Sequence, residues 1–250
     1  MSLQRVRGVV ALVLTILFVT ALSPLFVLVR VFLGRRAAAE GLGAWAASVV
    51  LGLSGVSVEL RAPAIPLPER RVVYVSNHTS SIDLFVLLSL RLPRARFFMK
   101  RGAWVFPPGA IVAVCVGTFF TVPQAYTDKR RKLFAAACEV LQRTGDAVYL
   151  SPEGTRVTSG GVGPFNKGAF HLAAALGAPM VPLYLEIPRS ANPGKSWVMP
   201  RTRVIVHVLP EIDTSGWRPE TAREHADHVR GVYQAFEAEL AAPNPERAAA

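Results

Sequence analysis

Residues 9–29 carry no charged side chain over 21 consecutive positions, and that run constrains the fold more than any other feature of the chain. A helix needs roughly 20 apolar residues to cross a hydrocarbon core of about 30 Å. Arg5 and Arg7 precede the run and Arg30, Arg35 and Arg36 follow it, so the flanking charge sets no orientation. A second uncharged stretch, residues 41–58, is rich in Gly and Ala, contains Trp45 and is marginal in length for a span. Three arrangements compete. The first run crosses a bilayer; or the two stretches form a helical hairpin in one leaflet, bent near Ser23-Pro24, with basic residues at the headgroups; or Ala21-Leu22-Ser23 marks a cleaved signal peptide, which ranks last. Residues 1–54 are therefore expected to form a membrane-associated helical element, and residues 55–250 a separate domain.

The charge balance fits this expectation. Against 28 Lys and Arg stand 17 Asp and Glu, a formal net charge of +11. An excess of that size implies an anionic partner: a bilayer surface, a phosphorylated substrate or a nucleic acid. Aromatics are not interleaved with the basic residues, which argues against nucleic acid. The apolar fraction of 51% excludes a disordered chain. The two cysteines, Cys115 and Cys138, exclude a disulfide scaffold and sit among apolar residues as buried thiols.

The remainder reads as α/β. Strand candidates are residues 56–60, 71–76, 96–99, 117–122, 147–151, 180–186 and 203–209, several of them near-continuous apolar runs. Pro63 and Pro66 break the chain after the first. Helical periodicity predicts helices from about Ser81, over 128–144 to a stop at Gly145, over 166–177, and over 219–240 before a frayed Ala/Pro-rich tail. Buried strands alternating with helices predict a central, largely parallel sheet flanked by helices.

The densest polar cluster, Ser76-Asn77-His78-Thr79-Ser80-Ser81-Ile82-Asp83, falls where a buried strand ends and a helix starts, the edge at which open α/β sheets bind ligands. A strand–turn–helix corner can fold the Asp83 carboxylate back onto the His78 imidazole. One ring nitrogen is then fixed and the other is free to take a proton from a hydroxyl. Taken alone, a His near an Asp is as often a cap or a turn. The same edge receives Pro152-Glu153-Gly154-Thr155-Arg156, which otherwise reads as a surface turn with an exposed ion pair. Phe165-Asn166-Lys167-Gly168-Ala169-Phe170 opens a helix, where Lys167 and free N–H groups suit a phosphate and Asn166 suits an ordinary cap.

These motifs, with Val181-Pro182-Leu183 after them, resemble in order and approximate spacing the glycerophospholipid acyltransferases, a family typified by 1-acylglycerol-3-phosphate acyltransferases; the resemblance covers about residues 56–209. It implies that His78 is a general base and Asp83 orients it. A lyso-lipid hydroxyl would attack an acyl thioester directly, without an acyl-enzyme. By the same resemblance Glu153, Gly154, Thr155 and Arg156 match the block that helps bind the acceptor and its phosphate; Asn77, Lys100 and Lys167 are the further substrate-binding candidates. The implied partners are a bilayer, a lyso-lipid, and acyl-CoA or acyl carrier protein as co-substrate. No cofactor and no metal are implied, and the cell membrane is the expected location, with the site facing the cytoplasm.

One departure matters. The family's second motif usually ends its strand in Asp-Arg, whose arginine contacts the acceptor phosphate; here Thr121-Val122 stand there. Valine cannot replace a guanidinium fork. Either Lys100, Lys129, Arg130 or Arg156 grips the phosphate, or the acceptor is another lyso-lipid, such as a lyso-ornithine lipid or a lysophospholipid. Competing chemistries lack their signatures. There is no Gly-x-Ser-x-Gly elbow. There is no P-loop or dinucleotide fingerprint, and Gly160 to Gly163 read as a flexible loop. His225 and His228 have no partner ligands and read as a solvated helix face. A lipid-binding protein that keeps the fold without catalysis is the alternative of another class, and it would have no need of a base at His78.

Overall fold

A computed structural model describes residues 3–62, 67–158, 161–188, 190–192, 194 and 196–242. The break expected at Pro63 and Pro66, Gly160, and the tail after residue 242 lie outside these residues.

The first apolar run forms α1 (Leu3–Phe32), a single helix of 30 residues with Pro24 inside it. Proline has no N–H for the carbonyl four residues back. The Ser23 hydroxyl donates to that Thr20 carbonyl instead, at 2.9 Å, and the helix continues. The chain turns not at Ser23-Pro24 but at Gly34, whose φ of +87° suits glycine. From there α2 (Gly34–Arg36), a π-helical stretch (Ala37–Gly43) and α3 (Ala44–Ser54) run on without a break. Both arms, Gln4–Phe32 and Gly34–Ser54, are long and apolar enough to cross a membrane, with hydropathies of 2.7 and 1.3.

The hairpin is nevertheless fastened to the rest of the chain. Arg7 donates to the Met199 carbonyl at 2.8 Å. Phe26, about 28 Å further along the helix, packs with Ala38, Ala39, Ala46, Cys115 and Val116. The other side of α1 presents Val9, Val13, Leu17, Leu28 and Val31 outward.

Seven strands follow: β1 (Val56–Arg61), β2 (Val73–Ser76), β3 (Arg96–Lys100), β4 (Phe119–Thr121), β5 (Val148–Leu150), β6 (Met180–Glu186) and β7 (Thr202–Val208). They form one sheet in the order β1-β7-β6-β2-β5-β3-β4. Only β6 and β7 pair antiparallel; every other neighbouring pair is parallel. Between and after them come α4 (Asp83–Ser89), α5 (Pro107–Cys115), α6 (Thr127–Thr144), α7 (Gly168–Leu176) and α8 (Ala222–Ala241). Helix α5 has no counterpart among the sequence expectations. Its two prolines occupy the first turn, where a missing N–H costs nothing.

Side chains alternate between faces with the strand period of two. Tyr74, Tyr149, Val204 and Val206 meet Leu51 of α3 and Val86 and Leu87 of α4. Val73, Val75, Val148 and Leu150 meet Leu141 of α6, Phe170 of α7 and Ala226, Val229 and Tyr233 of α8. The chain thus leaves β2 toward one face and neighbouring β5 toward the other. This opens a crevice at the carboxyl ends of those two strands, the position at which doubly covered sheets bind ligands.

Beneath the opposite end of the sheet the hairpin is tied down by charge. Asp146, just before β5, receives Arg35 of α2 at 2.8 Å and Arg96 of β3 at 2.8 Å. Arg35 also donates to the carbonyls of Ala95 and Arg94. Arg35 and Asp146 are both buried.

Candidate active site

The crevice is built from the two segments that leave β2 and β5. Strand β2 is buried throughout, and residues 77–82 turn the chain into α4, whose first residue is Asp83. The helix starts two residues later than Ser81, because Ser81 bonds the Gly194 carbonyl through both its N–H and its hydroxyl.

Asp83 is almost fully buried. Its Oδ2 accepts from the N–H of Thr79 at 2.8 Å and of Ser80 at 2.9 Å, and meets His78 Nδ1 at 2.8 Å. A carboxylate oxygen held by two N–H donors can only accept, so Nδ1 carries the proton and Nε2 presents its lone pair. The imidazole is partly open, its side chain 28% exposed. A base of this kind takes a proton from a hydroxyl and passes none to Asp83, which stabilises the resulting imidazolium.

The backbone of His78 is clamped by the segment after β5. Its N–H donates to Glu153 Oε2 at 2.6 Å, and its carbonyl accepts from the Val157 N–H at 2.8 Å. Glu153 is buried, and its Oε1 accepts from the Gly163 N–H at 2.8 Å. Burial pushes its carboxyl above the ordinary value, and the N–H bonds from Gly163 and His78 pull part of the way back. Gly154 follows with φ of +67°, and a Cβ there would meet Asn166 Nδ2 and Gln124 Nε2 at 3.0 and 3.1 Å. Asn166 in turn donates to the carbonyls of Pro152 and Glu153.

The expected site residues therefore divide. His78, Asp83 and Glu153 converge. Glu153 does not pair with Arg156; the exposed Arg156 donates to Ser81 Oγ at 3.3 Å, which brings it to the rim of the same corner, while Thr155 is exposed beside it. Asn77 is buried, and its amide exchanges two hydrogen bonds with the backbone of Leu185, extending the β2–β6 ladder by one residue. Lys100 ends β3 opposite Thr121, two strands from β2, and is exposed. Lys167 is exposed at the start of α7. Val122 is buried, and Arg130 donates to its carbonyl at 3.1 Å while lying over the Phe134 ring. His225 stacks on Trp217 with ring centroids 4.3 Å apart and meets the Thr221 hydroxyl. Asn166, expected as a helix cap, makes no cap bond and holds the segment after β5 instead, while Gln124 and Val157 support the corner and carry no signal at the level of single residues. Only their neighbours in space give them a role.

Fold and corner together define an α/β protein with a histidine–aspartate pair at the carboxyl edge of its sheet. The chain belongs to the acyltransferase family, whose profile matches residues 58–186. It is 38% identical over 122 residues to a chloroplastic 1-acyl-sn-glycerol-3-phosphate acyltransferase of Brassica napus, covering 48% of this chain and 34% of that protein. It is 30% identical over 178 residues to 1-acyl-sn-glycerol-3-phosphate acyltransferase alpha of Bos taurus, covering 71% of this chain and 62% of that one. The chain thus spans about a third and just under two thirds of these relatives. The crystal structure of a 1-acyl-sn-glycerophosphate acyltransferase from Thermotoga maritima superimposes with a TM-score of 0.75 at 21% identity, over 97% of this chain and 99% of that one. This last likeness establishes the fold, including the N-terminal helices.

Proposed function

We propose that the protein is a membrane-bound O-acyltransferase. It would move a fatty acyl group from a thioester of coenzyme A or acyl carrier protein to the free hydroxyl of a lyso-lipid, with 1-acylglycerol-3-phosphate as first acceptor and phosphatidic acid as product. The observation that carries this reading is the His78 Nδ1–Asp83 bond, held in register by the Thr79 and Ser80 N–H groups. In the proposed step His78 Nε2 removes the hydroxyl proton as the oxygen attacks the thioester carbonyl. The tetrahedral adduct collapses, the thiolate leaves, and the proton on Nε2 neutralises it. No serine or cysteine carries the acyl group.

The outward apolar face of α1 supports seating in one leaflet of the cell membrane, with the crevice at headgroup depth on the cytoplasmic side. Membrane fractions are expected to retain the chain at high salt, since salt screens charge and leaves apolar contact intact. Release into the soluble fraction would count against the anchor.

Incubating the purified protein with labelled acyl thioester and a panel of lyso-lipids tests the reaction and the acceptor together. Arg156→Ala is expected to raise KM for lysophosphatidic acid roughly fivefold with kcat little changed, because a charge-assisted contact to phosphate is lost. A second reading is favoured by one observation: at the position where the family carries its phosphate-binding arginine, Val122 is buried. Turnover of a lyso-ornithine lipid or a lysophospholipid without turnover of lysophosphatidic acid would establish that reading instead.

A further inference from the structure

Glu153 holds the N–H of the catalytic histidine, yet it is buried and makes no ion pair among the described residues. An isolated buried carboxylate is costly unless something compensates its charge. The Glu153 oxygens accept from the His78 and Gly163 N–H groups, and a cation stands behind the second of these on α8, outside the stretch that matches the family. Arg230 donates through Nε to the Gly163 carbonyl at 2.9 Å and through Nη2 to the Val162 carbonyl at 3.3 Å. The Val162 carbonyl and the Gly163 N–H belong to one peptide unit, and that N–H is the one that donates to Glu153 Oε1 at 2.8 Å. A cation on the oxygen of a peptide strengthens the donor at its nitrogen, so the guanidinium reaches the carboxylate through a single polarised amide. One α8 face repeats the arrangement: Arg223, seven residues earlier, donates to the Phe165 carbonyl at 3.0 Å. Ala226, Val229 and Tyr233 bury between and beyond the two arginines, and Tyr233 donates to the carbonyls of Val75 and Leu183.

We propose that Arg230 is a positioning residue of the active site, acting through the Val162–Gly163 peptide to hold Glu153 and, through Glu153, the backbone of His78. The inference rests on the acyltransferase reading for its kinetic consequence, but not for its geometry. The titratable groups that face Glu153 are His78 and Asp83 from the β2–α4 corner, Tyr149 from β5 and Tyr233 from α8. Both tyrosines are buried and stay neutral across the working range, so Arg230 is the cation that α8 brings to this carboxylate. Without its charge Glu153 protonates at higher pH, and a protonated carboxyl cannot accept from both His78 and Gly163 with equal strength.

Two variants of the full chain in detergent separate charge from shape. Arg230→Gln keeps an N–H donor and loses the charge; Arg230→Lys keeps the charge and loses the fork. The carboxyl carbon of Glu153 is followed by carbon-13 NMR against pH, its resonance assigned by its loss in Glu153→Gln. Acyl-transfer kinetics are measured over the same pH range. In Arg230→Gln the Glu153 titration is expected to move up. Its kcat should fall roughly tenfold near neutrality with acceptor KM within about twofold, and the acid limb of the kcat profile should move with the carboxyl. Arg230→Lys should stay close to the parent in all three. An unmoved Glu153 titration in Arg230→Gln, or an equal loss of kcat at every pH in both variants with a lowered Tm, would overturn the proposal and leave Arg230 as a loop brace. If the parent protein acylates no lyso-lipid, the acyltransferase reading fails by itself, and the NMR titration still decides on Arg230.

Discussion

Replacing His78 by alanine is expected to lower acyl transfer by about 10²–10⁴-fold, the usual cost of removing a positioned general base. The fold should survive the change. The imidazole is partly exposed, so truncation leaves no core cavity, and Asp83 keeps its bonds from Thr79 and Ser80. Asp83→Asn should also cost activity, and it should cost stability too. With its oxygen in the Oδ2 place the amide still accepts from His78, Thr79 and Ser80, but the charge that steadies an imidazolium is lost and its NH2 is buried in the Oδ1 place, which has no partner among the described residues. Turnover of labelled acyl thioester, read beside circular dichroism and membrane retention, checks both variants. Near-normal turnover in His78→Ala would sink the mechanism, as would recovery of labelled acyl group on a serine or cysteine.

Asp146→Ala is expected to destabilise the protein by about 3–5 kcal/mol, the cost of breaking a buried ion pair from one side. Arg35 and Arg96 both lie 2.8 Å from this carboxylate. Removing it leaves Arg35, only 8% exposed, facing the positive charge of Arg96 with no anion between them. The lesion should also loosen the N-terminal hairpin, because Arg35 is the hairpin's charged tie to the sheet. Burial pushes the Asp146 carboxyl up, but the hydrogen bond from Arg96 and the charge of Arg35 outweigh it and hold the group below its ordinary value of 3.8. A depressed carboxylate contributes stability that is present above its unfolded pKa and lost as pH falls through the folded one. The parent should therefore lose stability on the acid side of pH 3.8, and Asp146→Asn should lose less of it over that range. Glu211→Ala supplies the contrast. It removes the Arg70 pair, at 2.7 Å but exposed on both sides, and is expected to cost about 0–1 kcal/mol. Thermal unfolding of the three variants in one detergent decides; equal losses for Asp146→Ala and Glu211→Ala would refute the central role of the buried cluster.

The sequence by itself determined the features that are written locally. The strand from Met180 to Glu186 has the predicted bounds, because β-branched and apolar residues on a buried strand leave little choice. Helix α6 ends at Gly145 in the left-handed region, as a glycine after an amphipathic run implies. The His78–Asp83 corner was legible too, since the two partners lie only five positions apart and a single turn brings them together. Tertiary structure alone decided the rest. The chain turns at Gly34 rather than at Ser23-Pro24, with Phe26 packed against Cys115 and Val116 from a later part of the chain. The sheet order, with β5 and β6 on either side of β2, puts Glu153 against His78 across 75 residues of chain and spends Asn77 on Leu185 rather than on the open crevice. Arg35, Asp146 and Arg230 look like ordinary surface charges in the sequence. Arg35 and Asp146 are buried together, and Arg230, half-buried, reaches the Val162 and Gly163 carbonyls from α8. Such pairings depend on which helix covers which face, a choice settled by the packing of the whole core and by no residue within reach of a local pattern.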